Sequence, residues 1–369
     1  MNLNNDKRIV MTLDAGGTNF VFSAMQGGQE IVETIVLPAS QETLEQVLKT
    51  IIKGFEEVAA SLPDKAAAIS FCFPGPAEYE AGIIGDLANL PTFRGGVALG
   101  PMLEAHFHIP VFIRNDGDLF TYGESIDGLQ KEINALLQAH KSPKYYHNLF
   151  GATFGTGFGG GIVSHGDLLP GDNSASGEIN RLRNKRYPSY SVEESVSIRG
   201  VKKVYMREAG IAETACPEPK EIFQIARGEM AGDQQAAVSA FHEMAEVAGS
   251  ALADAISLID GLIVIGGGLA GAHPVFLQAL VDEMNNAFQT PSGTELERME
   301  VKAYNLENPK ELEHFLKGDA REITVPFSDQ KISYDPVKRV GVGVSRLGTA
   351  KAVAIGAYAY AIHQLDAKH

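Results

Sequence analysis

Asp14-Ala15-Gly16-Gly17-Thr18-Asn19 closes a short apolar run, Ile9-Val10-Met11-Thr12-Leu13, and a second apolar run, Phe20 to Met25, follows at once. Two strands joined by a glycine turn read as a hairpin. The turn is not a P-loop, because it has no lysine. It is not a dinucleotide fingerprint either, because a strand follows it where that motif needs a helix. Glycine permits positive φ and lets a backbone amide approach a phosphate. Thr18 and Asn19 add donors, and Asp14 at the strand end has the chemistry to hold Mg²⁺ through water. The same residues suit a plain hairpin turn with an Asx-type hydrogen bond.

The second half of the chain opens on a similar phrase. Leu149–Phe154 reads as a strand, followed by Gly155-Thr156-Gly157-Phe158-Gly159-Gly160-Gly161 and a further strand. Five glycines in seven residues exceed what one turn requires. One Gly/Thr hairpin at the head of each half is an internal repeat of pattern, not of residue identity. It predicts two similar lobes with a cleft between them. Two such hairpins can grip the β- and γ-phosphates of one nucleotide, and a tight structural turn between buried strands is the plainer alternative.

Between and beyond these hairpins the pattern is that of an α/β protein. A third strand is expected around Ile31–Leu37. Ser40-Gln-Glu-Thr43 opens a helix to about Ser61, with Leu44, Val47, Leu48, Ile51, Ile52, Phe55 and Val58 at the helical period. Ala66–Phe73 reads as a buried strand stopped by Pro74-Gly75-Pro76, and Val111-Phe112-Ile113 as another running into Arg114-Asn115-Asp116-Gly117-Asp118. Strands linked by crossover helices make an α/β sheet. Residues 191–258 read as mostly helical, Ser257–Ile265 as a strand into Gly266-Gly267-Gly268, and a helix begins near His273. Residues 290–345 are mixed and polar with a β-like stretch at Ile323–Phe327, and residues 349–363 form an Ala-rich helix, apolar nearly all round and expected to be buried.

Composition narrows the function classes. The chain has 369 residues, 44% hydrophobic and 21% charged, with a formal net charge of −15. That excludes a disordered chain and a fibre, and it speaks against nucleic acid or an anionic membrane as partner, since both need a basic footprint. It leaves phosphate ligands open, because backbone amides and Mg²⁺ hold them without a basic field. Cys72 and Cys216 alone make neither a disulfide framework nor a Cys-rich zinc site, so a reducing cytoplasm is expected. Met1 to Arg8 is polar, so no signal peptide is expected, and no apolar run reaches the roughly 18 residues of a membrane span.

Three further groups carry candidate chemistry. Asn115-Asp116 ends a buried strand where an α/β sheet places ligand contacts. A carboxylate there can take the proton of a sugar hydroxyl as it attacks phosphorus, and the same pair suits the N-cap of the next helix. Gly177-Glu178-Ile179-Asn180-Arg181 and Ser191-Val192-Glu193-Glu194-Ser195-Val196-Ser197 offer glutamates able to accept from sugar hydroxyls. They also fit solvated helix charges, with Lys185 and Arg186 nearby. Gly266-Gly267-Gly268, between a strand and a helix, gives a flat base a surface to lie against, and any strand-to-helix turn also needs some glycine.

Together and in this order, these pieces resemble the ROK family (repressors, open reading frames and sugar kinases), in particular its glucokinase-like sugar kinases. The resemblance spans Leu13 to Ala359. It rests on Asp14-Ala-Gly-Gly-Thr18, Pro74-Gly75-Pro76, Asn89-Leu90, Asn115-Asp116, Gly155-Thr156-Gly157 with its glycine tail, Gly177-Glu178, Glu193 with Ser197, Gly266-Gly267-Gly268 and Gly356-Ala357. It implies an actin/hexokinase-like (ribonuclease H-like) ATPase fold, two-lobed with a central cleft: residues 1–116 with the C-terminal helix 349–369 as the small lobe, and 117–348 as the large lobe. It implies ATP-dependent phosphorylation of a sugar hydroxyl, with Asp116 as catalytic base. Asn115, Glu178 and Glu193 would hold sugar hydroxyls and Gly75 would border the sugar. Gly16, Gly17, Thr18, Thr156 and Gly157 would hold phosphates, Asp14 would stand near Mg²⁺, and Gly267 and Gly268 would flank the adenosine. Sugar and ATP are the implied partners, and a homodimer in the cytoplasm is expected.

One region departs from the family. Many members continue Gly-Glu-Ile-Gly-His and then carry a Cys-rich segment that binds zinc with that histidine. Here Asn180 and Arg181 stand in the Gly-His positions, and no cysteine lies between Cys72 and Cys216. A structural zinc needs about four N/S ligands, so no zinc is expected. Arg181 is either a replacement sugar contact, suited to an acidic substrate, or an exposed helix charge. The competing functions are a sugar-binding sensor of the same fold without turnover, and a repressor. The repressor is disfavoured because the first core strand begins near Ile9, leaving no room for a DNA-binding domain ahead of it.

Overall fold

A computed structural model describes residues 3–15, 18–39, 42–87 and 90–367. They form two compact units: Met1–Asp127 with Asp167–Ser176 and Leu347–His369, and Gly128–Gly166 with Gly177–Arg346. The expected boundary after residue 116 falls instead at the head of a helix, Asp116–Asp127, that stays in the first unit. The cause is packing. That helix lies along the C-terminal helix Thr349–Ala367. Gly123 faces the Ala352 carbonyl and Gly356 the Leu119 carbonyl so closely that a methyl on either would strike backbone.

In the first unit, strand Val10–Ala15 pairs antiparallel with Asn19–Gln26, which closes the hairpin expected from the sequence. On its other side it runs parallel to Ala68–Cys72, which in turn runs parallel to Val111–Arg114. The register aligns Asp14 with Cys72 and Cys72 with Arg114. Three carboxyl ends therefore finish level, at the edge where open α/β sheets bind ligands. The expected strand Ile31–Leu37 is instead two short pieces, Gln29–Glu30 and Ile35–Pro38. Both pair with Asn19–Gln26, Ile31 N–H still donates to the Ala24 carbonyl at 2.9 Å, and residues 32–34 leave the ladder between them. Helix Leu44–Ser61 starts at a Thr43/Gln46 capping box and buries Val47, Ile51, Phe55 and Val58. Phe55 meets Phe22 edge-on at 5.1 Å and Phe71 at 5.8 Å, tying helix to sheet.

In the second unit the strand order is Phe158–Ser164, Leu149–Phe154, Leu262–Gly266, Arg339–Val344 and Lys302–Asn305, parallel after the first pair. Gly266 lies opposite Thr153, so the turns after Phe154 and Gly266 are neighbours. The helix expected to end near Leu258 runs from Gln234 to Ile259, with Asp233 as N-cap and Asp260 in the left-handed region at φ 48° as its stop. The strand therefore begins at Leu262, not Ser257: Ser257 still bonds its hydroxyl to the Ala253 carbonyl, as a helical residue does. Residues 290–345, left coarse by the sequence, hold helix Pro309–Lys317, the edge strand at 302–305, its neighbour at 339–344, and a separate hairpin of Arg321–Thr324 with Lys331–Tyr334.

Candidate active site

The level strand ends of the first unit bring Asp14, Asn115 and Asp116 to one edge. Asn115 and Asp116 each accept from the Gly117 amide through Oδ1, at 2.8 and 2.9 Å, at the start of helix Asp116–Asp127. The capping alternative is thus realised, and it is compatible with the catalytic one, since the Asp116 side chain remains exposed. The protein around the Asp14 carboxyl and, second, the negative charge of Asp116 hold Asp14 above the ordinary carboxylate value. The Cys72 thiol is raised by burial and then by the charges of Asp116 and Asp14. Buried Tyr79 is raised by desolvation, opposed by a hydrogen bond with Asn115 and reinforced by Asp116. These shared influences draw Asp14, Cys72, Tyr79, Asn115 and Asp116 into one electrostatic neighbourhood. Tyr79 donates to the Phe73 carbonyl at 2.8 Å, and Gly75, before a cis Pro76, lies against its hydroxyl. The Thr18 carbonyl accepts from Ala39 at 2.9 Å, fixing the far side of the first glycine turn. Gly16, Gly17 and Asn89 lie outside the described residues.

Two residues here were not singled out from the sequence as site residues. Tyr79 is one. Arg114 is the other: it bonds Glu80 and the Tyr360 hydroxyl, and its guanidinium lies 4.6 Å from the Tyr360 ring centre. It anchors the segment leading to Asp116 onto the C-terminal helix. A charged residue ending an apolar strand was the available signal.

In the second unit the glycine turn is tightly built. Gly155 N–H donates to the Gly157 carbonyl at 3.0 Å, and Ile198 N–H to the Gly155 carbonyl at 2.8 Å. Glu193 is not a solvated helix charge. It sits in the 3-10 turn Val192–Glu194, and its Oε2 accepts from Phe158 N–H at 3.1 Å, while Arg199 bonds Oε1 at 3.2 Å. A Cβ at Gly157 would stand 2.6 Å from Glu193 Oε2, so a side chain there would displace the Glu193 carboxylate from its bond to Phe158. Ser197 donates to the Glu193 carbonyl at 2.8 Å and caps helix Ile198–Ala209. Gly177, at φ 77°, packs on the Gly160 backbone and sets Glu178, which is exposed, beside the same hairpin. Asn180 Oδ1 is buried without a hydrogen-bond partner and Arg181 is exposed, so the departure from the family's Gly-His leaves an open acceptor.

Gly267, at φ 86°, presses on the Phe154 backbone, where a side chain has no room. Gly155 and Gly268 differ. A Cβ at Gly155 would meet only Gly268 N, at 4.0 Å, and a Cβ at Gly268 would meet nothing within 4 Å. The second glycine hairpin and the Gly266–Gly268 turn thus share an open flank, bordered by Thr156 and lined by backbone. Among the described residues, no three His, Cys, Asp or Glu converge as metal ligands, and no helix is long and apolar enough to cross a membrane.

Sheets of this topology, each headed by a glycine hairpin, define an actin/hexokinase-like fold of the sugar-kinase type. The ROK family model matches residues 10–309, and the chain belongs to the ROK family. It is 53% identical to the crystal structure of a glucokinase from Parabacteroides distasonis, with a TM-score of 0.91, covering 98% of this chain and 99% of that one. It is 26% identical over 277 residues to an N-acetyl-D-glucosamine kinase of Photobacterium profundum, covering 70% of this chain and 83% of the relative. A glucokinase of Thermotoga maritima is 25% identical over 175 residues, 46% of this chain. That match spans about half of the relative, 49%.

Proposed function

We propose that this sugar kinase transfers the γ-phosphoryl group of ATP to a hydroxyl of a hexose or N-acetylated amino sugar, with Asp116 as general base. The observation that carries the reading is the convergence of Asp14, Asn115 and Asp116 at one strand-end edge of the first unit. The open glycine flank of the second unit and the relatives' names support it. Asp116 takes the hydroxyl proton as the sugar oxygen bonds the γ-phosphorus. The bond from that phosphorus to the β–γ bridging oxygen breaks, and ADP leaves with the electron pair.

Asn115, Glu178 and Glu193 hold sugar hydroxyls, with Gly75 at the sugar's border. Phosphates rest on the backbone of Gly16, Gly17 and Thr18 and of Thr156 and Gly157, and adenosine lies by Gly267 and Gly268. A carboxyl made unfavourable by its surroundings and by a neighbouring acid is well suited to a cation, so Asp14 fits a hydrated Mg²⁺. When bound, that ion supplies charge neutralisation on the phosphates. The buried, unpaired Oδ1 of Asn180 gives the altered segment an acceptor where the family has glycine. We place the protein in the cytoplasm as a homodimer.

An ATP-consumption screen of the purified protein over a sugar panel, glucose and N-acetylglucosamine first, tests the reading. Sugar-dependent ADP formation is expected, and ADP release that no sugar stimulates would overturn it.

A further inference from the structure

A cavity of about 320 Å³ opens in the second unit, at the opposite end of strand Leu149–Phe154 from the glycine turn. Six residues of strand, about 20 Å, separate the two ends. The volume lies in the range of small-molecule sites. Lys144, His147, His165 and Lys338 line it, with Asp260 as its single carboxylate. In a chain with 46 acidic and 31 basic residues, that is a local reversal of sign, and a pocket whose charged groups are mostly of one sign concentrates the opposite charge.

The walls are built, not incidental. Asn148 joins three of the segments: its Nδ2 donates to the carbonyls of Ile259 and Asp260 at 3.1 and 3.2 Å, and its Oδ1 accepts from His165 N–H at 3.0 Å. Tyr146 fixes a fourth, donating to the Arg339 carbonyl at 2.7 Å. His165 and Asp260 are held in the left-handed region, at φ 54° and 48°. Strained residues of this kind persist where the surroundings over-determine them, and they gather at ligand sites. The cations are available. Among the described residues Lys144 makes no ion pair, and Lys338 pairs only with the exposed carboxylate of Glu300, at 3.4 Å. The Arg339 guanidinium is engaged elsewhere, by Asp335 at 2.7 Å. The Tyr145, His147 and His165 rings stand in a row along one side, with centroids 4.7 and 6.2 Å apart; the two imidazoles lie nearly parallel and Tyr145 is tilted by 47° to its neighbour.

We propose that this cavity is a second ligand site, for a phosphomonoester carried on a hydroxylated ring. The two ammonium groups and the imidazoles meet the dianion, the aromatic row packs against the ring, and Asp260 accepts from a ring hydroxyl. None of these residues belongs to the catalytic reading, and the proposal stands without it.

Isothermal titration of the full chain with glucose 6-phosphate, inorganic phosphate and glucose tests the assignment. The chain should bind glucose 6-phosphate, and the Lys144→Ala/Lys338→Ala double variant should bind it at least tenfold more weakly, with kinase kcat and glucose affinity unchanged. Gly155→Val, which blocks the glycine flank, should leave that binding intact. Inorganic phosphate should bind more weakly than the ester and with the same lysine dependence. An affinity unmoved in the lysine variant, lost only in Gly155→Val, absent altogether, or equal for phosphate and ester would each overturn the proposal.

Discussion

Asp14 ends its strand with a carboxyl that the surrounding protein and Asp116 hold above the ordinary value of 3.8. The sign of its contribution follows. Between the ordinary value and the raised one, the folded chain binds more protons at Asp14 than the unfolded chain does, so stability falls as pH rises through that window and stays lower above it. Asp14→Asn should therefore raise the melting temperature at neutral pH and leave it unchanged below the window. Thermal melts across the acid range check this, and an Asp14→Asn protein less stable at pH 7 would contradict it. The two glutamates proposed for the sugar site, Glu178 and Glu193, should separate by their surroundings. Losing a hydrogen bond to a charged group costs about 1.5–3 kcal/mol, so Glu178→Ala should weaken sugar kcat/KM by roughly ten- to a hundredfold. Glu193→Ala should do the same and also raise KM for ATP, because Glu193 holds the Phe158 amide of the glycine turn. Steady-state kinetics in both substrates distinguish them, and wild-type constants for both variants would remove the glutamates from the sugar site. Much of this scale was legible: Asp14, Asn115, Asp116, Gly155 and Glu193 stood out by residue type and order. The bond from Glu193 to Phe158 did not, because 35 residues separate the pair and only the fold joins them.

The elements were legible where one local pattern acts alone. Helix Leu44–Ser61 shows its period in the sequence, though it starts at the Thr43/Gln46 cap and not at Ser40, and both glycine hairpins are short-range events. Residues 290–345 were not, since the strand at 302–305 pairs with that at 339–344, which in turn pairs with Leu262–Gly266, far along the chain. Ser257–Ile259 was misread for a related reason: a helix end and a buried strand start both appear as apolar runs, and only the left-handed Asp260 divides them. Two glycine positions carry predictions here. Gly155 has open space around it and no left-handed φ, so Gly155→Val should fold normally yet lose protection by Mg²⁺-ATP, which is about 2.7 kcal/mol at a hundredfold excess over Kd. Unchanged ATP protection in a folded variant would make the hairpin purely structural. Gly356 touches the facing helix backbone, so Gly356→Ala should destabilise by about 1–3 kcal/mol, the usual range for overpacking. Chemical denaturation of that variant measures it.

At the scale of the whole molecule, the ordered set of individually modest motifs made the family legible, and the family match over residues 10–309 agrees with it. The unit boundary was not legible, because it depends on which helix Gly123 and Gly356 allow to pack closely, a property of two distant glycines together. Nor does the sequence fix the sugar, since Asn180 and Arg181 stand where many family members have Gly-His. The account rests most heavily on one group, Asp116, and one comparison tests it. With the sugar found by the panel, kcat is measured for the wild type and Asp116→Asn, alongside calorimetric sugar affinity for each. The account predicts a fall in kcat of roughly 10²–10⁴-fold, the usual contribution of a general base, with sugar affinity retained. A kcat near the wild-type value in the folded Asp116→Asn protein would contradict it.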